Sequence, residues 1–466
     1  MKQEIYNELS SIVGSKNISA SKTDRICYSR DLLPLAMIWI RQGKISNLPD
    51  AIVWPESAEQ ISKILKVANR ERMPVIPWSG GAGVAGGTVP LSGGIVIDMK
   101  KMDKVIEIND KALTVRVQTG IIGQDLEMEL NSHGYTLGHF PSSMYCSALG
   151  GFIVTRSSGQ FSSKYGSIED ILIALEAVLP TGEVVRTKAV PRSATGPNLN
   201  ELFMGSEGRF GIVTEATLRI HMLPETRLFR GIVFQNVHSG LEGIRKIMRT
   251  GILPSVVRLY DEHDTSIAMK ELGLSAKGCL LVIGFEGRRE VAEAEEKVAL
   301  GICMEGGGKD LGREPGEHWW KHRYDISYKQ AEVIQRGGIV DTIEVAANWD
   351  KLETLYANMK KAMEKEGAIV LAHFSHVYTE GSSIYFTFIG GGKGDEQVAS
   401  LYGKVWDAAM KACIESGGTI SHHHGIGMLK AKWMEAEHGN AVRIYEGIAK
   451  LLDPNGIMNP GKLLKK

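Results

Sequence analysis

Glycine constrains this chain more than any other residue type. Three glycine-centred segments fall between residues 77 and 220. "SGGAGVAGG", Ser79–Gly87, sits between two strand-like runs, "PVIPW" and "GIVIDM". "SALGGFIV" carries the pair Gly150 and Gly151, and "MGSEGRFG" carries Gly205, Gly208 and Gly211 ahead of an alternating strand. Glycine allows positive φ and lets main chain come close to a ligand. A P-loop is excluded, because no terminal Lys-Ser/Thr and no following helix accompany the first segment. A dinucleotide fingerprint in a βαβ unit is excluded for the same missing helix. Two readings of that first segment stay open from the residues alone: a nest of backbone N–H groups for an anion such as a pyrophosphate, or an ordinary surface turn.

Composition removes several function classes. The 466 residues suggest more than one domain. Charges balance at 54 basic against 54 acidic, which leaves no general field for nucleic acid or an anionic membrane. The five cysteines, Cys27, Cys146, Cys279, Cys303 and Cys413, never form a C-x-x-C pair. That argues against a disulfide scaffold, a zinc ribbon or a resident iron–sulfur cluster, and suits a reducing cytoplasm. The first residues, "MKQEIYNELSSIVGSKN", are amphipathic and charged, unlike a signal peptide, and no organelle-targeting extension is evident. No run of about 18 apolar residues is present. "LLPLAMIWI", Leu32–Ile40, reads as a packed segment, with a peripheral membrane or partner contact as the alternative.

Periodicity gives the layout. After "AIVW", Ser57 and Gln60 form a capping-box pattern, and Ile61, Ile64, Leu65 and Ala68 make one apolar helix face. Beyond Pro224 a strand–helix–strand–strand–helix order occurs twice, ending on a strand "GTISHHH". Two such units predict ferredoxin-like halves sharing one antiparallel sheet. On a terminal strand, His422 and His424 would point one way and His423 the other.

The three glycine segments, in this order and with the closing "LLDPNGIMNPGKLL", resemble the PCMH-type FAD-binding domain of the vanillyl-alcohol oxidase superfamily. The resemblance implies an α+β chain. A FAD-binding domain of two α/β subdomains would span 1–224, with an N-terminal segment of about 1–46. A cap domain with a ferredoxin-like sheet covered by helices would span 225–425, and a C-terminal segment, 426–466, would return to the first domain. The cofactor implied is FAD, held non-covalently, because the histidine that tethers it in many relatives is missing from the first loop. The residues implied for it are Pro77, Ser79, Gly80, Gly81, Ala82, Gly83, Val84 and Ala85 in that loop. Pro141, Ser142, Ser147, Ala148, Gly150, Gly151, Thr155, Arg156 and Ser157 follow in the second segment, and Glu207, Gly208, Gly211 and Ile212 in the third.

Within the superfamily, "SHHHGIG", "TRSSGQ", "YGSIED", "MGSEG" and "SSIYFTF" are similar to the alkylglycerone-phosphate synthase branch. That similarity implies catalytic roles for Tyr385, His422, His423 and His424, and substrate contacts for Arg258 and His139. Where the branch has an Arg-Asp pair this chain has Lys329 and Gln330, with Arg323 and Arg336 off register. Lys329 is the substrate-binding candidate there, as a point charge without bidentate geometry. Hydroxy-acid dehydrogenases of the superfamily instead show "HxGDGNxH" and "GEHGIG", read as metal sites. Here only His373 matches the first and His423 replaces the glutamate of the second, so no metal is expected.

Three functions stay open. The first is flavin-dependent oxidation of a small hydroxylated or 2-hydroxy-acid substrate. The second is alkylglycerone-phosphate synthesis from an acylated dihydroxyacetone phosphate and a fatty alcohol, without net redox. The third is an electron-transfer subunit working with an iron–sulfur or other acceptor protein. A small-molecule substrate, a homodimer, no nucleic acid, and a cytoplasmic or membrane-peripheral location are the accompanying expectations.

Overall fold

The computed structural model describes residues 1–45, 47–274 and 277–464; the side chains of 326–329 and 331 lie outside what it describes. The first unit is a small sheet in the order Ile18–Ser19, Ala51–Val53, Ile95–Asp98, Val75–Trp78, in which the last three strands run parallel. Parallel strands need a crossover, and helix Ala58–Glu71 supplies it. Ser57 Oγ accepts from the Gln60 amide at 3.3 Å, and Arg72 ends the helix at φ 51°. The four apolar positions read from the sequence are all buried against the sheet.

The second unit is a five-stranded antiparallel sheet ordered Val105–Asn109, Thr114–Gln118, Ile212–Arg219, Leu172–Val178, Val184–Arg186. Gly150 and Gly151 do not lie on a turn between strands. They open a short helix, Leu149–Thr155, whose Leu149, Phe152 and Ile153 are buried.

The cap is one seven-stranded antiparallel sheet, ordered Lys309–Asp310, Thr226–Phe234, Cys279–Gly287, Val256–Tyr260, Ile369–Val377, Gly381–Gly390, Ile339–Asn348. Its two halves join where Leu259 and Tyr260 face Phe374 and His373. Helices Val237–Arg249, Arg289–Glu305, Trp349–Lys365 and Asp395–Glu415 cover one face, over Phe234, Leu259, Phe374, Phe386 and Phe388. Strand alternation turns Arg258, His373, Tyr385 and Thr387 to the other face. Helices Glu262–Glu271, Glu314–His322 and Ile326–Gln335 are additions to the expected repeat.

Residues 457–462 hydrogen-bond to the first sheet and to the loops beside it. Val75 donates to Ile457 O at 2.8 Å and accepts from the Asn459 amide at 2.8 Å. Asn459 Nδ2 donates to Glu207 O at 2.7 Å, and Lys462 Nζ to Val89 O at 2.7 Å. The Leu32–Ile40 run is a helix, Pro34–Arg41, whose Ile38 enters the cap core. Among the described residues no helix is long and apolar enough to cross a membrane.

The terminal strand is corrected. Among the described residues of this segment only Thr419 bridges the sheet, to Ala346, and residues 422–424 form bends. The three imidazoles therefore do not alternate across a sheet. Buried Glu344 on the neighbouring strand gathers that turn: its carboxylate accepts from the amides of His422 at 2.5 Å and His424 at 2.9 Å, and from Ser421 Oγ at 2.9 Å. Lys430 Nζ, also buried, donates to it at 2.9 Å. Sequence distance hid this anchor, because Glu344 reads locally as one acidic residue on a strand.

Candidate active site

A cavity of about 1010 Å³ lies between the glycine segments and the polar face of the cap sheet. That is at the upper end of the roughly 300–1,000 Å³ typical of small-molecule sites. One wall is main chain. Residues 79–85 line it, with Pro77, Pro141, Ser142, Ser147, Ala148, Gly150, Gly151, Thr155, Ser157, Glu207, Gly208, Gly211 and Ile212. Arg156 does not line it; at φ 55° it caps the short helix and its guanidinium pairs with Glu169 and Glu201 outside.

The glycines divide by what an added Cβ would meet. At Gly80 it would lie 2.0 Å from Cys146 O, and at Gly81 (φ 63°) 2.2 Å from the Trp78 ring, so both are needed for packing between loops. At Gly151 it would meet only Ser79 Oγ at 3.3 Å, and at Gly83 only Asp31 Oδ2 at 3.4 Å. Space is kept free at those two positions by no protein group, on the side that faces the cavity. A wall of bare amides with room in front of it fits a dinucleotide's anionic linkage and flat ring. Glu207 has a further use: its carboxylate accepts from the Ile426 and Gly427 amides at 2.5 and 2.8 Å and so ties the "GIG" turn to this wall.

The opposite wall is side chains. Tyr385 Oη lies 2.7 Å from His423 Nε2 and 2.7 Å from His376 Nε2. His376 was not singled out in the sequence; it sits at φ 52° just before the shift of register between Ser375 and Val377, where the local kink re-aims it. The only signal available was the second histidine of "HFSHVY". His373 stacks on Tyr385, with centroids 4.6 Å apart. Arg258 lines the cavity with its Nη2 3.5 Å from His373 Nδ1, its guanidinium over the Tyr260 ring, and a buried Nε that has no hydrogen-bond partner. Among the described residues no carboxylate forms an ion pair with it.

His424 and His423 line the cavity, whereas His422 stands behind His423, with 2.9 Å between their Nδ1 atoms. His139 also stays out of the cavity: it is buried against Phe152 with Nε2 3.2 Å from Ser157 Oγ, and supports the second segment from behind. Lys329 lies outside the described side chains, while its neighbour Gln330 lines the cavity.

Burial sets the protonation. It holds His373, His422 and His424 down at about 4, and His376 and His423 well below the usual histidine range. It pushes the Tyr385 phenol up. Burial would raise Glu344 too, but the Lys430 charge, with the amides of the turn, holds it at about 2. At neutral pH the cluster is thus a neutral phenol among neutral imidazoles, over one buried, compensated carboxylate. Among the described residues no group of three or more His, Cys, Asp and Glu side chains is placed to hold a metal ion.

Comparison with known proteins agrees with this architecture. Residues 49–188 match the FAD binding domain model, and residues 223–463 match the C-terminal domain of FAD linked oxidases. The alkyldihydroxyacetonephosphate synthase of Trypanosoma brucei brucei is 32% identical over 505 residues, covering 100% of this chain and 81% of that protein. The glycolate oxidase subunit GlcD of Bacillus subtilis is 28% identical over 474 residues, covering 100% and 97%. A solved alkyldihydroxyacetonephosphate synthase structure superposes with a TM-score of 0.85 at 28% identity, over 99% of this chain and 85% of that one. The chain is a FAD enzyme: it belongs to the FAD-linked oxidases of the vanillyl-alcohol oxidase superfamily, on the branch it shares with the alkyldihydroxyacetonephosphate synthases.

Proposed function

We propose that this enzyme forms an ether bond, exchanging the acyloxy group of an acylated dihydroxyacetone phosphate for the alkoxy group of a long-chain alcohol. The observation that carries this reading over oxidation of a small hydroxy acid is the apolar side of the cavity. Leu32, Pro34 and Met37 from the N-terminal segment and Ile334 and Val340 from the cap line it. A two- or three-carbon hydroxy acid has no use for such a surface, whereas burying an alkyl chain yields about 0.8 kcal/mol per methylene. The relatives named as synthases point the same way.

The chain's residues would divide the work as follows. The amides of residues 79–85, with Gly151 beside them, would hold FAD, which would supply an electron-accepting ring. Arg258, with an unshared guanidinium edge, would take the phosphate. Lys329 remains the candidate for a second charge on that group. Tyr385 cannot act as a resident base, since its phenol is neutral. It can accept a proton on its oxygen only while passing its own to a neutral imidazole, and His423 and His376 each stand within 2.7 Å, so that one can accept while the other donates. His424, whose Nδ1 lies 3.6 Å from Glu344, would hold the turn in place. No electron leaves the site in this exchange, so no acceptor protein is required.

The test is to incubate yellow holoprotein with an acylated dihydroxyacetone phosphate and a labelled long-chain alcohol. Labelled ether and free fatty acid in equal amounts, with the flavin still oxidised at the end, is the expected result. Rapid bleaching by glycolate or D-lactate, with no ether formed, would instead establish the oxidase reading.

A further inference from the structure

Tyr385 belongs to a longer chain of hydrogen bonds than the reaction just proposed needs. Ser162 Oγ is 2.7 Å from His376 Nδ1, and His376 Nε2 is 2.7 Å from Tyr385 Oη. Tyr385 Oη is 2.7 Å from His423 Nε2, and the Nδ1 atoms of His423 and His422 are 2.9 Å apart. His422 Nε2 is 2.8 Å from Tyr378 Oη. Six groups stand in line, and each interior one touches its neighbours through different atoms or lone pairs.

A neutral imidazole has one N–H and one lone pair, and a hydroxyl has one proton to give. A hydroxyl also has two lone pairs, so the line can be satisfied in three ways: every bond pointing one way, every bond pointing the other, or Tyr385 accepting from both His376 and His423 while its own O–H faces the cavity. Only the first two conduct a proton along the whole line. The ends differ. Ser162 is buried, as are Phe161 and Tyr165, and among the described residues its hydroxyl has no partner besides His376. Tyr378 is half-buried, and it lies beside the buried hydroxyls of Ser158 and Ser167, near Glu169, whose side chain is 26% exposed. One end is blind and the other continues through hydroxyls toward a partly exposed carboxylate.

We propose that Tyr385, His423, His422 and Tyr378 form a proton relay that carries a substrate proton away from the cleft behind the histidine turn, with Ser162 and His376 as positioning residues that set its direction. The relay rests on Tyr385 being the group that meets the substrate proton. In the outward direction Ser162 donates to His376, and His376 Nε2–H donates to Tyr385. As a proton reaches the Tyr385 oxygen, its own O–H proton passes to His423 Nε2. The Nδ1–H proton of His423 moves to His422, the Nε2–H proton of His422 moves to Tyr378, and the Tyr378 proton passes to the Ser158 and Ser167 hydroxyls, each of which gives one up in turn toward Glu169. Each group gains one proton and loses one, and no electrons change hands. The same path run backwards returns a proton to the leaving group, so the cleft need not open to water between the two halves of the exchange.

The first test requires no turnover. Ring ¹⁵N shifts of wild-type protein at pH 7, assigned by single His→Gln variants, should show His376 and His422 in the same neutral tautomer and His423 in the opposite one. His376 and His423 in the same tautomer, or any of the three charged, would overturn the relay. The second test is Tyr378→Phe. FAD retention should be unchanged while turnover falls by roughly 10²-fold, the low end for a positioned proton-transfer group, with a larger solvent isotope effect. Unchanged turnover with an unchanged isotope effect would also sink it, and if that variant fails to fold, the tautomer pattern still decides. Absence of ether product from wild-type protein would reject the proposed reaction alone, since the tautomers are read without substrate.

Discussion

The two walls of the cleft are made in opposite ways. The cofactor wall is main chain with its side chains removed; the cap wall is side chains held over a sheet. On the first, function requires what is missing, and a single added Cβ is the damaging change. On the second, function requires several groups brought together from strands far apart in sequence, and damage comes from losing one atom of a hydrogen-bonded set. The first is a local property of the chain, whereas the second exists only after the sheet has formed.

The largest effect should come from the cofactor wall. Gly151→Val should give a folded protein without FAD, because its Cβ would contact only Ser79 Oγ among protein atoms and would occupy the space in front of the amides. Gly80→Val should instead fail to fold, since its Cβ would lie 2.0 Å from Cys146 O. Flavin absorbance after purification, set against the far-ultraviolet circular dichroism, separates the two outcomes. Yellow Gly151→Val protein would show that the wall binds something else.

On the cap wall the corresponding change is Tyr385→Phe. FAD should stay bound, because no cofactor-wall packing is touched. Turnover should fall by about 10²–10⁴-fold, as expected for loss of a group that moves a proton in the transition state. Steady-state and single-turnover rates on the holoprotein check this. A fall confined to KM would make Tyr385 a binding group and would blur the distinction between the walls.

The contrast also explains what could be read from the sequence. The glycine wall was legible almost residue by residue, since a run such as Ser79–Gly87 admits few conformations and the requirement is carried by the residues themselves. Arg156 was the exception: its place in the motif does not reveal that its side chain turns outward to Glu169 and Glu201. On the cap wall, Tyr385 was found through the resemblance, but its surroundings were not. His376 is aimed by a register shift, and Glu344 and Lys430 meet across 86 residues of sequence. The histidine turn was misread as a strand because β-branched Thr419 and Ile420 suggest one. The Glu344 carboxylate, collecting the amides of His422 and His424, offers the backbone a better arrangement than continuing a ladder.

The smallest of these effects is on stability, and it is larger on the cap wall. On the cap wall, burial holds His373, His422 and His424 at about 4, against roughly 6.5 for an unfolded histidine. As pH falls through 6.5 the unfolded chain takes up protons that the folded one refuses, so stability drops, by up to about 1.4 kcal/mol per pH unit for each such group. Glu344, held at about 2, adds a further loss only between roughly pH 4.5 and 2. On the cofactor wall, burial raises Asp31 to about 6, so acid relieves it, but burial also holds His139 at about 3, so the two largely offset each other. Asp341, raised to about 6 beneath the cap sheet, offsets part of the histidine effect without reversing it. Denaturant midpoints should therefore fall between pH 7 and pH 5. Amide exchange over that range should rise first in Ile369–Val377 and Gly381–Gly390, while Val75–Trp78 and Ile95–Asp98 change little. Equal acceleration on both sides would mean that the histidines are already wet or charged at neutral pH, and the cap wall would then lack the neutral imidazoles on which proton transfer through Tyr385 depends.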